Sequence, residues 1–276
     1  MLKNYPVSKR TIGELLPDTL TLSFCIHINK GEKVWVVAGM LVQYLESITD
    51  SVIVIENNNP IGTIGGKEIL ENLLKNPSRS LFYDFNVEDI MERDPVIVTE
   101  NTKYKELMSL WKERSRAFAI IPNKWGFYSA ISAQKVLEIG MRCKTNFSIS
   151  DLTKKQPVFF KKGDTFGDVI NSMFKNKTRK ILLERSNKYL SDRLIIEAIS
   201  EKMKYLKEID DFLNESIDIV TLEKARIIPN DLKIQEVSAM MYDMFHPYVI
   251  YNDHIVTPWD ICNVLLSPEI SEYVIK

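Results

Sequence analysis

The sequence repeats itself, and this constrains the fold more than any motif, because a unit recurring at a steady period must pack in a similar way each time. Asn86-Val-Glu-Asp-Ile-Met91 followed by Pro95-Val-Ile-Val98 aligns without gaps with Ser148-Ile-Ser-Asp-Leu-Thr153 followed by Pro157-Val-Phe-Phe160, 62 residues later. The same frame fits Ser216-Ile-Asp-Ile-Val-Thr221 and Ala225-Arg-Ile-Ile228, at an offset of 130. Each block runs into a turn-like segment: Thr99-Glu-Asn-Thr102, Lys161-Lys-Gly-Asp164 and Pro229-Asn-Asp-Leu232. A less regular copy comes first, with Thr11-Ile-Gly-Glu-Leu-Leu16, Phe24-Cys-Ile-His-Ile28 and Asn29-Lys-Gly-Glu32 in the corresponding places.

Within each copy a short β-branched or aromatic run gives way to a helical period such as Tyr104, Leu107, Met108, Leu110 and Trp111. A second apolar run (52–55, 118–121, 181–183, 248–250) leads to a turn at Asn57-Asn-Asn-Pro60, Pro122-Asn-Lys124, Ser186-Asn-Lys188 or Asn252-Asp253. A third strand and a closing helix follow, as at 135–139 and 261–266. The expected fold is α+β, with four β-α-β-β-α repeats at 8–76, 86–142, 147–204 and 214–270. A unit of about 60 residues struggles to bury its own sheet, so neighbouring repeats should pack together. Residues 73–84, with Pro77 and Ser78, separate the first two repeats. The segment 203–214, rich in Lys, Glu and Asp, separates the last two.

Composition removes several classes. With 45% hydrophobic and 26% charged residues, the 276-residue chain is neither disordered nor a disulfide scaffold. A net charge of −1 supplies no global field towards nucleic acid or an anionic membrane. The longest apolar run, 34–42, is about half a membrane span, and residues 1–10 lack the apolar stretch of a signal peptide, so a cytoplasmic protein is expected. Cys25, Cys143 and Cys262 are far apart, with three scattered histidines, which reads as reduced thiols in packing roles rather than a metal site. No nucleophile with a base and no spaced ligand set points to an enzyme. The glycines at 62–66 are not a P-loop: Ile61 stands five residues before Gly66, and Glu68 follows Lys67 where Ser or Thr is needed.

A repeat of this order and length, opening with an Asp-Ile-Met-like step and closing its third strand with a polar signature, resembles the CBS (cystathionine beta-synthase) domain. The resemblance covers residues 11–266 in four copies. It implies two tandem (Bateman) modules, closing into a disc within one chain or pairing with a second chain. It also implies a regulatory protein that binds AMP, ADP, ATP or S-adenosylmethionine, needs no cofactor and performs no catalysis. With no effector domain among the repeats, the output would act on a protein partner in trans. In that family a small hydroxyl residue ends the third strand, and an aspartate follows three positions later at the start of the closing helix. The hydroxyl and the first-turn N–H groups would meet phosphate oxygens, the carboxylate would take both ribose hydroxyls, and the base would lie among residues of the first and second strands.

The fourth repeat matches in full, His254-Ile-Val-Thr257-Pro-Trp-Asp260-Ile, with Thr257 on phosphate or ribose and Asp260 on the ribose diol. Arg226 and Ile227 in its first strand, with His246 and Tyr248 at its second, would complete the site. In the first repeat Gly65 replaces the hydroxyl and Glu68 the aspartate; Gly65 and Gly66 would allow close backbone approach to a phosphate. The second has Ser132 but Lys135, and the third Ser191 but Leu194, so both lack the ribose anchor. Plainer readings stand beside these. Thr257 with Pro258 at the first helical position, and Glu68 in a first turn, are also sound helix-start chemistry. Ser132 and Ser191 read best as caps. His246 either faces the ligand or is a partly exposed structural histidine. Trp35, Trp111 and Trp125 pack between helices or cover turns, and Trp259 flanks the pocket.

Charge is uneven: residues 146–205 carry 13 Lys or Arg against 7 Asp or Glu, and 206–276 carry 5 against 13. Complementary packing of the third and fourth repeats accounts for this. A sharper reading has Arg179, Lys180 or Arg193 reaching the phosphates of a ligand held by Thr257 and Asp260. The alternative function is a scaffold or nucleic-acid-associated protein using Lys175, Lys177, Arg179 and Lys180, although no recognition helix or stacking platform accompanies them.

Overall fold

In the first three repeats the first strand runs parallel to the second, in the fourth the first strand lies beside the second, and in all four the second and third form an antiparallel hairpin. The computed structural model describes residues 5–17, 25–43, 51–123, 125–202, 211–244, 246–270 and 272–273. Of the segments named above, Phe24, Lys124 and residues 203–210 lie outside the described residues. The first repeat contains β1 (His27–Asn29), α1 (Val34–Gln43), β2 (Ser51–Glu56), β3 (Asn59–Gly65) and α2 (Gly66–Lys75), and β4 (Glu92–Arg93) extends its sheet. The second has α3 (Tyr104–Arg114), β5 (Phe118–Pro122), β6 (Tyr128–Ser132) and α4 (Ala133–Arg142), followed by β7 (Cys143–Lys144). The third has β8 (Phe159–Phe160), α5 (Phe166–Lys175), β9 (Lys180–Leu183), β10 (Lys188–Ser191) and α6 (Asp192–Lys202), with β11 (Glu223–Lys224) on its sheet. The fourth has β12 (Arg226–Ile227), α7 (Ile234–Tyr242), β13 (Val249–Tyr251), β14 (His254–Val256) and α8 (Pro258–Val264), while β15 (Glu272–Tyr273) pairs with β7.

Register follows the apolar runs. His27 faces Ile53 in the parallel pair and Ser51 faces Gly65 in the hairpin; Phe159 faces Leu182, and Leu190 faces Ile181. The first strand of the second repeat is reduced to two ladder bonds, Val98 N to Ile120 O (2.9 Å) and Ile120 N to Val96 O (2.8 Å). Asn57 and Asn58 (φ 49° and 64°) and Asn252 and Asp253 (φ 45° and 61°) are left-handed pairs. Such two-residue turns match the twist of the strands they join, and Asn and Asp tolerate them best among residues with a side chain.

The chain forms two compact units. One comprises Met1–Cys25, Val96–Gln156 and Ile227–Lys276; the other comprises Ile26–Pro95 and Pro157–Arg226. The first therefore holds the bodies of repeats two and four, and the second those of repeats one and three. The opening step of each repeat pairs with its tandem neighbour: Thr11 bridges Lys103, Asn86 bridges Lys33, Ser148 bridges Lys233 and Ser216 bridges Thr165. These exchanges join repeat one to two and three to four, so tandem pairing is built from swapped segments. The acid of the step serves its own turn, since Glu14, Asp89 and Asp151 accept from the backbone N–H groups of Thr11 (3.0 Å), Asn86 (2.8 Å) and Ser148 (2.8 Å). A carboxylate at the third helical position satisfies a donor that the helix leaves unpaired. The fourth copy has Ile219 there, and Ser216 Oγ accepts from Asp218 N (3.2 Å) instead.

In the first unit α4 packs on α7 and α8 around a core that includes Tyr104, Leu107, Met108 and Trp111. In the second, α6 packs on α1 and α2. Residues 73–84 are more than a spacer: Leu81 and Phe82 are buried, and Phe82 meets Phe212 edge to face at 6.1 Å. Burial raises the Cys25 and Cys143 thiols to about 11 and pushes Cys262 up as well, which keeps all three protonated. No helix among the described residues is long and apolar enough to cross a membrane.

One helix contact yields a stabilising substitution. Ser238 on α7 is fully buried, and its hydroxyl has no hydrogen-bond partner among the described residues. It stands against Gly140 of α4, where an added Cβ would lie 2.2 Å from Ser238 Oγ. A buried, unsatisfied hydroxyl is unfavourable, and alanine is the better helix former. Ser238→Ala should therefore raise stability by about 1 kcal/mol, read as a higher urea midpoint at unchanged slope. An unchanged or lower midpoint would mean that the hydroxyl is satisfied in solution.

Candidate ligand site in the fourth repeat

The site begins where β14 ends. His254–Val256 pairs with Val249–Tyr251, so the chain emerges at Thr257 in extended backbone (φ −130°, ψ 166°) and turns directly into α8. Pro258 fits the first helical position because it has no N–H to leave unpaired. Asp260, one turn in, is buried at 3% exposure. Its Oδ2 accepts from Thr257 N and from Thr257 Oγ1, both at 2.8 Å. Its Oδ1 lies 2.8 Å from Lys155 Nζ. Lys155 comes from the strand-like lead into the third repeat, where its carbonyl accepts from Ile255 N (3.2 Å) in an antiparallel bridge. The fourth repeat thus presents a buried carboxylate held on one oxygen by the chain turn and on the other by a cation.

The other residues expected at this site come from the same repeat. Tyr248 is buried, which raises its phenol, and His246 is half-buried. Arg226 and Ile227 are both exposed on β12. Trp259 is half-buried and its ring lies 6.3 Å from that of Trp111, tilted by 38°, so it joins the core side of α8.

The first repeat repeats the device with different residues. Gly65 N donates to Glu68 Oε2 (2.8 Å), and Glu68 is buried. The space expected to admit a phosphate against Gly66 is taken: a Cβ placed there would lie 2.3 Å from Asp192 Oδ2. Asp192 is in turn held by Arg179 Nε (2.6 Å) on Oδ2 and by its neighbour's amide, Arg193 N (3.0 Å), on Oδ1. Ser132 and Ser191 act as caps, accepting from Lys135 N (3.4 Å) and Leu194 N (3.2 Å). Lys180 and Arg193 are buried in the same unit as Arg179, the unit of repeats one and three, whereas Thr257 and Asp260 belong to the other. Sequence reasoning missed Lys155 and Asp192. Lys155 is one lysine of a pair in a loop, and Asp192 reads as ordinary first-turn acid; their partners, Asp260 and Gly66, are more than 100 residues away.

No family model matches the sequence, and no curated protein matches it. Solved structures do. A Methanocaldococcus jannaschii protein, described as a candidate archaeal homolog of g-AMPK, superposes with a TM-score of 0.73 at 14% identity, over 90% of this chain and 99% of its own. A CBS-domain-containing protein from Agrobacterium tumefaciens matches 47% of this chain and 92% of its own at 15% identity, with a TM-score of 0.40. The superposition on the Methanocaldococcus jannaschii protein, over nearly the whole of both chains, gives this chain the CBS-domain fold, with the repeat present four times.

Proposed function

We propose that this chain is a ligand-sensing regulatory protein that binds an adenosine-containing ligand at the fourth repeat and signals to a protein partner in trans. The ligand is AMP, ADP, ATP or S-adenosylmethionine, bound and not transformed. The observation that carries this reading is the buried Asp260 carboxylate, fixed through Thr257 at the strand-to-helix turn. That is the position which the CBS resemblance assigns to the ribose diol. A carboxylate offers about four acceptor sites on two oxygens, which suits adjacent hydroxyls. The first repeat keeps its acid in Glu68, but Asp192 fills the space beside Gly66, which favours the fourth repeat as the main site. Occupancy alters the output only through a difference in affinity between two arrangements of the protein.

Isothermal titration of the four ligands into wild type and Asp260→Asn, at two salt concentrations, tests this. One ligand should bind in the micromolar range, and Asp260→Asn should weaken it by roughly 10- to 100-fold, the worth of hydrogen bonds to a charged group. Folded, ligand-free protein that binds none of the four would overturn the reading. Binding that survives Asp260→Asn and collapses steeply with salt would instead mark a phosphate-backbone binder using the basic third repeat.

A further inference from the structure

We propose that Lys155 is a built-in competitor at the fourth-repeat site, an ammonium that a ligand's hydroxyls must displace from Asp260. The inference rests on the ligand-site reading above and adds what sets the affinity there. Asp260 Oδ2 already accepts two hydrogen bonds from Thr257, so Oδ1 is the oxygen with capacity for a diol. Lys155 Nζ sits on that oxygen at 2.8 Å. Two hydroxyls and the ammonium together would exceed what the carboxylate can accept.

Lys155 is not an ordinary surface lysine that happens to fall near an acid. Its backbone is pinned to β14 by the bridge to Ile255, two residues before Thr257, so its side chain starts from a set position beside the strand that delivers the site. The two ends of the pair differ in exposure: the Asp260 side chain is 2% exposed and the Lys155 side chain 44%. The ammonium therefore reaches the carboxylate from the open side, the side from which a solute has to arrive. A pair with one buried member is screened less by salt than a fully exposed one, which makes it a real competitor at physiological ionic strength. It also solves a problem of the empty protein, since a buried carboxylate without a partner would be unfavourable. Ligand and lysine thus alternate on one oxygen.

The test is titration of AMP, ADP, ATP and S-adenosylmethionine into wild type, Lys155→Met and Asp260→Asn, with thermal melts of each unliganded protein as a folding check. Methionine keeps most of the length and apolar stem of lysine and removes the charge. Lys155→Met should bind the recognised ligand roughly two- to fivefold more tightly than wild type, as expected for loss of a half-exposed charge pair, and the gap should narrow as salt rises. Equal or weaker binding by Lys155→Met, with wild-type binding intact, would overturn the competitor and leave the adenosine reading standing. Nucleotide binding by Lys155→Met alone would support it most strongly. Absence of binding by both folded proteins would overturn the adenosine reading and the competitor together.

Discussion

Trp111→Ala is expected to lower stability by about 3–5 kcal/mol, the range for truncating a large buried aromatic. Trp111 lies on α3 and is fully enclosed, in the same core as Tyr104, Leu107 and Met108. Tyr104 donates to the carbonyl of Cys262 (2.8 Å), tying α3 to the helix that carries Asp260. Removing the indole leaves a void beside that tie and beside the Trp259 ring. The void cannot collapse easily, because its walls are held by hydrogen bonds as well as by packing, so the cavity term should add fully to the lost burial. The indole Nε1 has no hydrogen-bond partner among the described residues. Trp111→Phe should cost much less than Trp111→Ala, since the phenyl ring refills most of the space and, like alanine, strands no polar group. Urea unfolding followed by circular dichroism reads both; a loss under about 1 kcal/mol for Trp111→Ala would show that the site relaxes or is hydrated.

The repeated order of elements was legible because it depends on local chemistry that recurs: β-branched runs, a helical period, and Asn-Asn or Asn-Asp turns that became left-handed pairs at 57–58 and 252–253. The capping roles of Ser132 and Ser191 were legible for the same reason, since a hydroxyl three residues before a helical amide is a short-range relation. The exchange of opening steps was not. It pairs Thr11 with Lys103 and Ser148 with Lys233, backbone bridges that any side chain could accompany, so no residue type signals them. Residues 8–25 group with the body of the second repeat, and residues 26–76 with that of the third. The candidate site divided in the same way. Thr257 and Asp260 lie three residues apart and could be read from spacing. Lys155 enters through a bridge to Ile255, 100 residues along the chain, and could not.

Gly66→Ala should destabilise the unit of repeats one and three, towards the upper part of the roughly 1–3 kcal/mol that overpacking costs. The glycine is needed for space. Gly65 before it is in ordinary extended backbone, and the constraint falls on what faces Gly66. An added Cβ would lie 2.3 Å from Asp192 Oδ2, 2.7 Å from its Cγ and 3.1 Å from its Cβ, so the whole side chain would have to move. That side chain is 3% exposed and anchored on both oxygens, by Arg179 and by Arg193 N, which removes the cheap rotation that a free side chain would have. Moving it would break a charge-assisted bond and leave a buried carboxylate poorly partnered. The contrast with Gly140 is instructive: there the nearest blocking atom is the unbonded hydroxyl of Ser238, which can turn away and leave tighter-than-usual contacts to Ser238 Cβ (3.0 Å) and Ile261 Cγ2 (3.2 Å), so Gly140→Ala should cost less than Gly66→Ala. Asp192→Ala supplies the decisive comparison, because it removes the two nearest blocking atoms. The double variant Gly66→Ala/Asp192→Ala should be less destabilised than the sum of the single variants, by an interaction energy in the range of about 0.5–3 kcal/mol seen for residues in contact. Strict additivity would mean that the carboxylate does not sit against Gly66, and the space beside the first repeat's Glu68 would then be open to an anion from solution.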